Sequence, residues 1–356
     1  MLWASRQGLL DPAGSPPAPN LGGLAVASPP SSFTQDELLD LLGLRGNEFA
    51  ELIFARCGVE RRNLQVSPEV LSSSLQERTP ATEEQLFGMA VEAVEALDVD
   101  PAEIGVLVTA NYYSLGGPTL AHRLLDHLGL GADVDKYHLV GVGCASAVPL
   151  FRLAGQALRD RPGQRALVVA AECVTGFLTT VGEEDEKVKI VGSALFGDGC
   201  GAALLDGEGD APGPRIAGSA VHQVPGTLDH VRFAVESAES HMRISRELPA
   251  IAQTGLEPLV AGFLAERGLG PGRVDHWIVH PGGRGIIEGV QSGLGLDDEQ
   301  VETSFRVLRE HGNVGTPASF FVLDEVLRTS RPGAGELGCM VTIGPGVTIG
   351  LMLIEW

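Results

Sequence analysis

Basic residues, paired cysteines and long apolar runs are all scarce in this chain, and each shortage removes a class of function. Its 356 residues carry 25 Lys and Arg against 46 Asp and Glu, a formal net charge of −21. That balance disfavours nucleic acid and anionic membrane surfaces as partners. The five cysteines, Cys57, Cys144, Cys173, Cys200 and Cys339, form no CxxC pair. Neither a zinc site nor a disulfide framework is therefore expected, and free thiols fit a reducing cytoplasm. Residues 1–20 hold no continuous apolar core, so no secretory signal is expected there. No apolar run approaches the ~20 residues of a membrane-spanning helix.

What is present is an alternation of strand-like and helix-like segments. Apolar runs at 22–27, 104–109, 165–171, 201–205, 215–222, 277–280, 338–343 and 347–355 read as strands. Amphipathic stretches at 82–97, 116–129, 251–266, 284–294 and 316–328 read as helices. This order predicts an α/β protein with a mostly parallel or mixed sheet. The two halves share a coarse strand, Gly-turn, helix pattern, which points to an internal duplication. The dense charge cluster at 182–187 reads as a solvated loop.

The most informative run is Val140-Gly141-Val142-Gly143-Cys144-Ala145-Ser146-Ala147-Val148. The strand Tyr137–Val140 enters it, two glycines turn the chain, and small residues open a helix. Cys144 then sits at a strand-to-helix elbow, where the helix dipole favours an anion. The expectation is a lowered thiol pKa and an available thiolate nucleophile. Two further segments supply partners of the right chemistry. His280 ends a strand in Val279-His280-Pro281-Gly282-Gly283, and Asn313 precedes a helix in His311-Gly312-Asn313-Val314-Gly315. Functional groups in α/β sheets collect beyond strand ends, so the three segments are candidates to converge.

With those motifs in view, the chain resembles the type III polyketide synthases, the chalcone-synthase-like branch of the thiolase-fold condensing enzymes, over residues 22–356. The resemblance rests on the Gly143-Cys144 elbow, the run Ala194-Leu195-Phe196-Gly197-Asp198-Gly199, the run Trp277 to Gly283, Gly312-Asn313, and Gly344-Pro345-Gly346. It implies a thiolase fold of two similar halves in α-β-α-β-α layers. These would be preceded by an arm at 1–21, with Cys144 in 22–206 and His280 and Asn313 in 207–356. It also implies malonyl-CoA and an acyl-CoA starter as substrates, no metal or redox cofactor, and a homodimer.

Carried over by position, Cys144 holds the acyl chain, and His280 and Asn313 form the oxyanion site for malonyl decarboxylation. An imidazole N–H and an amide N–H are suitable donors to an enolate oxygen. A Cys–His pair such as Cys144 and His280 can exist as thiolate and imidazolium, ready for acyl transfer. Phe196 falls on the family's gatekeeper position, and Met242 on the second, which is Phe in the family. Gly315 stands where plant members place Ser, leaving more room for an aliphatic or bulky starter. Gly344, Pro345 and Gly346 match the loop that shapes the cavity floor. Arg56, Arg61 and Arg62 are the candidate CoA contacts, and Leu52 stands where plant enzymes place a base. Two other readings are a ketoacyl-synthase-III-like enzyme fed by a carrier protein, and a non-catalytic partner subunit. An acidic surface disfavours the first, because carrier proteins are themselves acidic.

Overall fold

The computed structural model describes residues 18–112, 116–178, 186–207, 212–236 and 239–356. Nine strands build the main sheet: β1 (Asn20–Ala27), β2 (Ile104–Asn111), β3 (Asp135–Val140), β4 (Arg165–Glu172), β5 (Gly199–Asp206), β6 (Arg215–Gln223), β7 (His276–Val279), β8 (Leu337–Gly344) and β9 (Thr348–Glu355). Their spatial order is β7-β8-β9-β6-β1-β5-β4-β2-β3. The order repeats. In the first half the opening strand β1 pairs antiparallel with the last, β5, which pairs antiparallel with β4, which runs parallel to β2. In the second half β6, β9, β8 and β7 make the same three pairings in the same senses. The halves meet at a single pair, Asn20 with Arg215. The duplication expected from the sequence pattern is thus visible in strand order.

Period-2 alternation along the buried strands separates two cores. Ala166, Val168 and Ala170 of β4 join one cluster, and Leu167, Val169 and Ala171 join another. In the second half Ile278 and Met340 face the shared cluster, while Trp277, Val279, Cys339 and Val341 face the opposite way. The shared cluster encloses two short apolar helices, Ala147–Ala157 and Ala318–Glu325, whose Phe151 and Phe320 rings stack with centroids 5.2 Å apart. Ala318–Glu325 is buried almost throughout and Ala147–Ala157 buries Ala147, Val148, Leu150, Phe151 and Ala154, so these two helices form the middle layer between the halves. The helix Leu75–Glu95 covers one outer face, and Leu248–Ala265 with Arg284–Leu294 cover the other.

Leu248–Ala265 departs from the sequence expectation about membranes. Its 18 residues are long and apolar enough, by length and composition alone, to cross a bilayer. Here Leu256, Val260 and Leu264 pack it onto the second-half sheet. The helix Glu186–Leu195 runs directly into the segment 196–199. Two smaller hairpins complete the fold, Ser32–Thr34 with Arg61–Asn63 and Val231–Glu236 with Glu239–Ile244. Of the charge cluster at 182–187, residues 182–185 lie outside the described residues.

Candidate active site

The elbow forms as its glycines predict. Gly141 and Gly143 take φ of 81° and 56°, a left-handed backbone that disfavours a side chain. A 3-10 turn, Gly143–Ala145, then leads through Ser146 into the buried helix Ala147–Ala157. The facing half presents its own buried helix in the same way, with Asn313 just before Ala318–Glu325. The duplicated fold therefore brings two equivalent helix starts together, and Asn313 Nδ2 lies 3.9 Å from Cys144 Sγ.

The Asn313 amide is held in one orientation. Its Oδ1 accepts from the Gly315 N–H at 2.9 Å, so Nδ2 turns toward Cys144 and the Gly282 carbonyl, 3.4 Å away. A backbone bridge to Phe196 fixes the residue itself. Asn313 N–H donates to Leu195 O at 2.8 Å, and Gly197 N–H donates to Asn313 O at 3.1 Å. Gly312 has to be glycine on two grounds. Its φ is 68°, and a Cβ would lie 2.6 Å from Leu195 O. The run from Ala194 to Gly199 thus acts as a clamp on Asn313. Its Asp198, fully buried, anchors the clamp by accepting from Thr175 N–H at 2.9 Å and Gln65 N–H at 3.1 Å.

His280 follows β7, and its N–H donates to Val341 O at 2.9 Å. The Pro-Gly-Gly turn folds over the ring, so that a Cβ on Gly282 would lie 3.1 Å from His280 Cδ2. The imidazole is buried, and neither ring nitrogen has a hydrogen-bond partner among the described residues. Burial pushes its pKa down to about 3. Burial also pushes the Cys144 thiol up to about 12, against the lowering effect of the Asn313 hydrogen bond and with a further rise from nearby Glu172. Burial thus pushes each group, taken singly, toward its neutral form, opposite to the lowering expected of a helix terminus.

Two functional groups escaped the sequence reading. Glu172 ends β4, as His280 follows β7, and strand ends were the available signal. Its carboxyl is buried and accepts from the Thr316 hydroxyl, while Oε2 has no partner among the described residues. Burial raises its pKa to about 8, opposed by hydrogen bonds from Thr316 and the Tyr112 backbone. Gly315 has a φ of 69°, and a Cβ there would fall 3.0 Å from Glu172 Cγ, so the Glu172 side chain packs directly against this glycine. Tyr112, the residue after β2, packs against Gly143.

A cavity of about 530 Å³ opens beside the site and reaches it at Leu195, Gly282 and Gly283. Four exposed cations from four separate segments line it: Arg56, Lys187, Arg246 and Arg284. Of the three expected CoA contacts, Arg56 alone is among them. Arg61 is exposed elsewhere and donates to Ser32 Oγ at 3.2 Å. Arg62 requires correction. It is fully buried, and its guanidinium donates to Phe196 O at 2.8 Å, to Gln35 Oε1 at 3.1 Å and to Ser193 O. It supports the clamp on Asn313 and offers nothing to a solvent-borne phosphate.

Phe196 is buried with Val59, Val174 and Ile287, and its neighbour Leu195 lines the cavity in its place. The Met242 backbone pairs with Phe233 in the second hairpin, and its side chain lies outside the described residues. Gly344 presses on the turn that carries Cys144, where a Cβ would meet Ala145 N at 2.5 Å. Pro345 lies against Gly143, and Gly346, with φ of 64°, faces Gln223 and Leu228.

Comparison with known proteins agrees with this geometry. Residues 34–212 match the family model described as FAE1/type III polyketide synthase-like protein, and 215–355 match that of the chalcone and stilbene synthases, C-terminal domain. The chain is 28% identical to a 3,5-dihydroxyphenylacetyl-CoA synthase of Streptomyces toyocaensis, over 96% of this chain and 91% of the relative. It is also 28% identical to an alpha-pyrone synthesis polyketide synthase-like protein of Mycobacterium tuberculosis, over 96% and 93%. The crystal structure of PKS-I from the brown alga Ectocarpus siliculosus superposes with a TM-score of 0.85 at 26% identity, covering 97% of this chain and all of that one.

Proposed function

Since the chain belongs to the type III polyketide synthase family, whose members are acyl-CoA condensing transferases, we propose that Cys144, His280 and Asn313 carry its chemistry. The reaction is iterative decarboxylative condensation of malonyl-CoA onto an acyl starter. The Cys144 sulfur attacks the thioester carbonyl, and the new S–C bond replaces the bond to CoA. The thiol proton passes to the neutral His280 imidazole as that bond forms, then to the departing CoA sulfur. Malonyl-CoA next loses CO2, and its C–C electron pair becomes an enolate. Asn313 Nδ2 and the free imidazole N–H are donors for the enolate oxygen. The enolate carbon attacks the Cys144 thioester, the S–C bond breaks, and a chain two carbons longer stands on CoA. Repetition and ring closure yield a pyrone, resorcinol or related small aromatic. The thiolate left on Cys144 takes up one proton from solvent, which balances each turn of the scheme.

The observation that carries this reading is the Asn313 amide, locked by Gly315 so that its N–H, rather than its carbonyl, faces Cys144 at 3.9 Å. The cation-lined cavity fits the phosphates of CoA, through Arg56, Lys187, Arg246 and Arg284. The outermost strand β3 exposes Tyr137 and Val140, which supports a homodimer formed along that edge. A thiol nucleophile works best in the reducing cytoplasm. Neither the carrier-protein-dependent synthase nor the silent subunit is favoured, because both halves match type III synthase models. Mass spectrometry of products from malonyl-CoA, alone and with acyl-CoA starters, is the test. Malonyl-dependent products are expected, and the absence of any product would overturn the reading.

A further inference from the structure

The scheme above uses one of the five thiols. Cys173, Cys200 and Cys339 are buried like Cys144, and Cys57 alone is partly exposed. It follows the helix Glu48–Arg56 and lines the cavity beside Arg56. Its thiol lies 3.5 Å from the carbonyl of Ala194, next to Leu195, where the cavity reaches the site. The sulfur is held in place from behind. Gln35 Nε2 donates to Cys57 Sγ at 3.0 Å, and Gln35 Oε1 accepts from Arg62 at 3.1 Å. Arg62 is a fully buried cation whose hydrogen bonds go only to neutral oxygens, and its Nε has no partner among the described residues. The negative charges that act on it are those of Cys57 first and Asp198 second. On its open side Cys57 faces the cavity that also carries Arg56, Lys187, Arg246 and Arg284. Cations on a concave wall concentrate anionic ligands there, so a thiol compound that bears phosphates is drawn to the wall where Cys57 stands.

We propose that Cys57 is a modification site of this cavity: it exchanges with the disulfide of a phosphate-bearing thiol, CoA disulfide, and the tethered CoA closes the channel until a thiol reductant removes it. The choice of CoA rests on the synthase reading above. The exchange balances. The Cys57 thiolate attacks one sulfur of CoA disulfide, and the new bond to Sγ forms as the S–S bond of CoA disulfide breaks. The departing CoA thiolate takes the proton that Cys57 gave up. One disulfide replaces another, with CoA disulfide as the oxidant. Dithiothreitol reverses the step by the same chemistry, leaving a free Cys57 thiol, free CoA and oxidised dithiothreitol. A CoA moiety tethered there fills the cavity that reaches Leu195, Gly282 and Gly283, so thioesters are kept from Cys144 while the fold is unchanged.

The test treats the intact enzyme with CoA disulfide or, at the same concentration, with oxidised glutathione, which lacks the phosphates. Intact-protein mass spectrometry counts the adducts and peptide mapping places them. One CoA per chain is expected, on Cys57, at a rate at least about 10-fold above that of glutathione, as even one charge-assisted phosphate contact implies. Product formation from malonyl-CoA is expected to fall in proportion to the fraction modified and to return with dithiothreitol. Cys57→Ser is expected to gain no CoA, and its own activity should be the same before and after treatment. Cys57→Ala serves if the serine variant does not fold. Absence of an adduct, an adduct mainly on Cys144, equal rates with the two disulfides, or a modified enzyme with full activity overturns the proposal. The synthase reading is judged separately. Untreated protein that makes no product from any CoA thioester ends that reading, while the adduct masses and the glutathione comparison, which need no turnover, still decide the assignment of Cys57.

Discussion

Arg62 holds the main-chain carbonyl of Phe196 at 2.8 Å, and Phe196 is the residue bridged to Asn313. A fully buried cation thus stands two steps from Asn313 and three from Cys144, without touching substrate. Its burial pulls its own pKa down to about 10, still far above neutrality, so it remains charged. Replacing it by Leu leaves the carbonyls of Phe196 and Ser193 without partners. Each orphaned acceptor costs about 1–3 kcal/mol. Arg62→Leu is therefore expected to lower stability by that order in urea titration and to reduce kcat. In any fraction that folds, KM for malonyl-CoA should stay close to the parent's. A selective rise in KM with unchanged stability would return Arg62 to the CoA contacts.

The exposed cations of the cavity should behave in the opposite way. Arg246→Ala combined with Arg284→Ala is expected to raise KM for malonyl-CoA at least about 10-fold, since loss of even one charge-assisted contact of about 1.5–3 kcal/mol implies about 10- to 150-fold. Melting temperature should not move. The same variant assayed with N-acetylcysteamine thioesters, which lack the phosphates, should match the parent. Equal losses on both substrates would point to a damaged channel rather than to phosphate recognition.

Thiol reactivity tests the electrostatics at Cys144. Its pKa is raised to about 12, so alkylation by iodoacetamide at pH 7 should be slower than for a free cysteine and should still climb above pH 10. The Asn313 N–H favours the thiolate. Removing it in Asn313→Leu should push the pKa higher still and slow alkylation further. Cys144→Ala should abolish both the adduct and product formation while the far-ultraviolet spectrum is retained. Fast alkylation at pH 7 would show that the resting site holds a thiolate.

Glu172 predicts a pH dependence of stability. Its pKa rises from an ordinary 4.5 to about 8 on folding. Between those values the native state holds a proton that the unfolded chain has released, so stability falls as pH rises through that window. His280 has the opposite sign, with its pKa lowered from 6.5 to about 3, so it destabilises the fold as pH drops through that range. Between pH 6.5 and 8 the contribution of Glu172 stands apart from that of His280. Glu172→Gln should flatten the parent's decline there, measured by urea midpoints at half-unit steps. An unchanged slope would mean that the carboxyl is ionised throughout.

Several elements were readable before any coordinates. The helix Arg284–Leu294 lies at its expected bounds, because a Gly-Gly turn opens it and Gly295 in the left-handed region closes it. The strands β2 and β4 were legible as continuous apolar runs. The helix Asp298–His311 was not assigned, although Asp297 and Gln300 form a capping box at its start. Its polar composition masked a one-sided stripe of Val301, Val307 and Leu308. The short hairpins were missed because three to six residues of mixed polarity carry little periodicity.

By itself the sequence determined what local chemistry can determine. Glycines at 141 and 143 impose the elbow, the order of apolar runs imposes the layers, and Cys144, His280 and Asn313 are marked by their turns. Only the tertiary structure decided which way the electrostatics run, because desolvation depends on everything packed around a group and not on its neighbours in the chain. For the same reason Arg62 could not be told from Arg61: adjacent residues on a strand face opposite sides, and one side here is the interior. Glu172 and Tyr112 come from separate segments, as do the four cavity cations, and no spacing in one dimension records that the fold brings the first two together beside Cys144 and the four around one cavity.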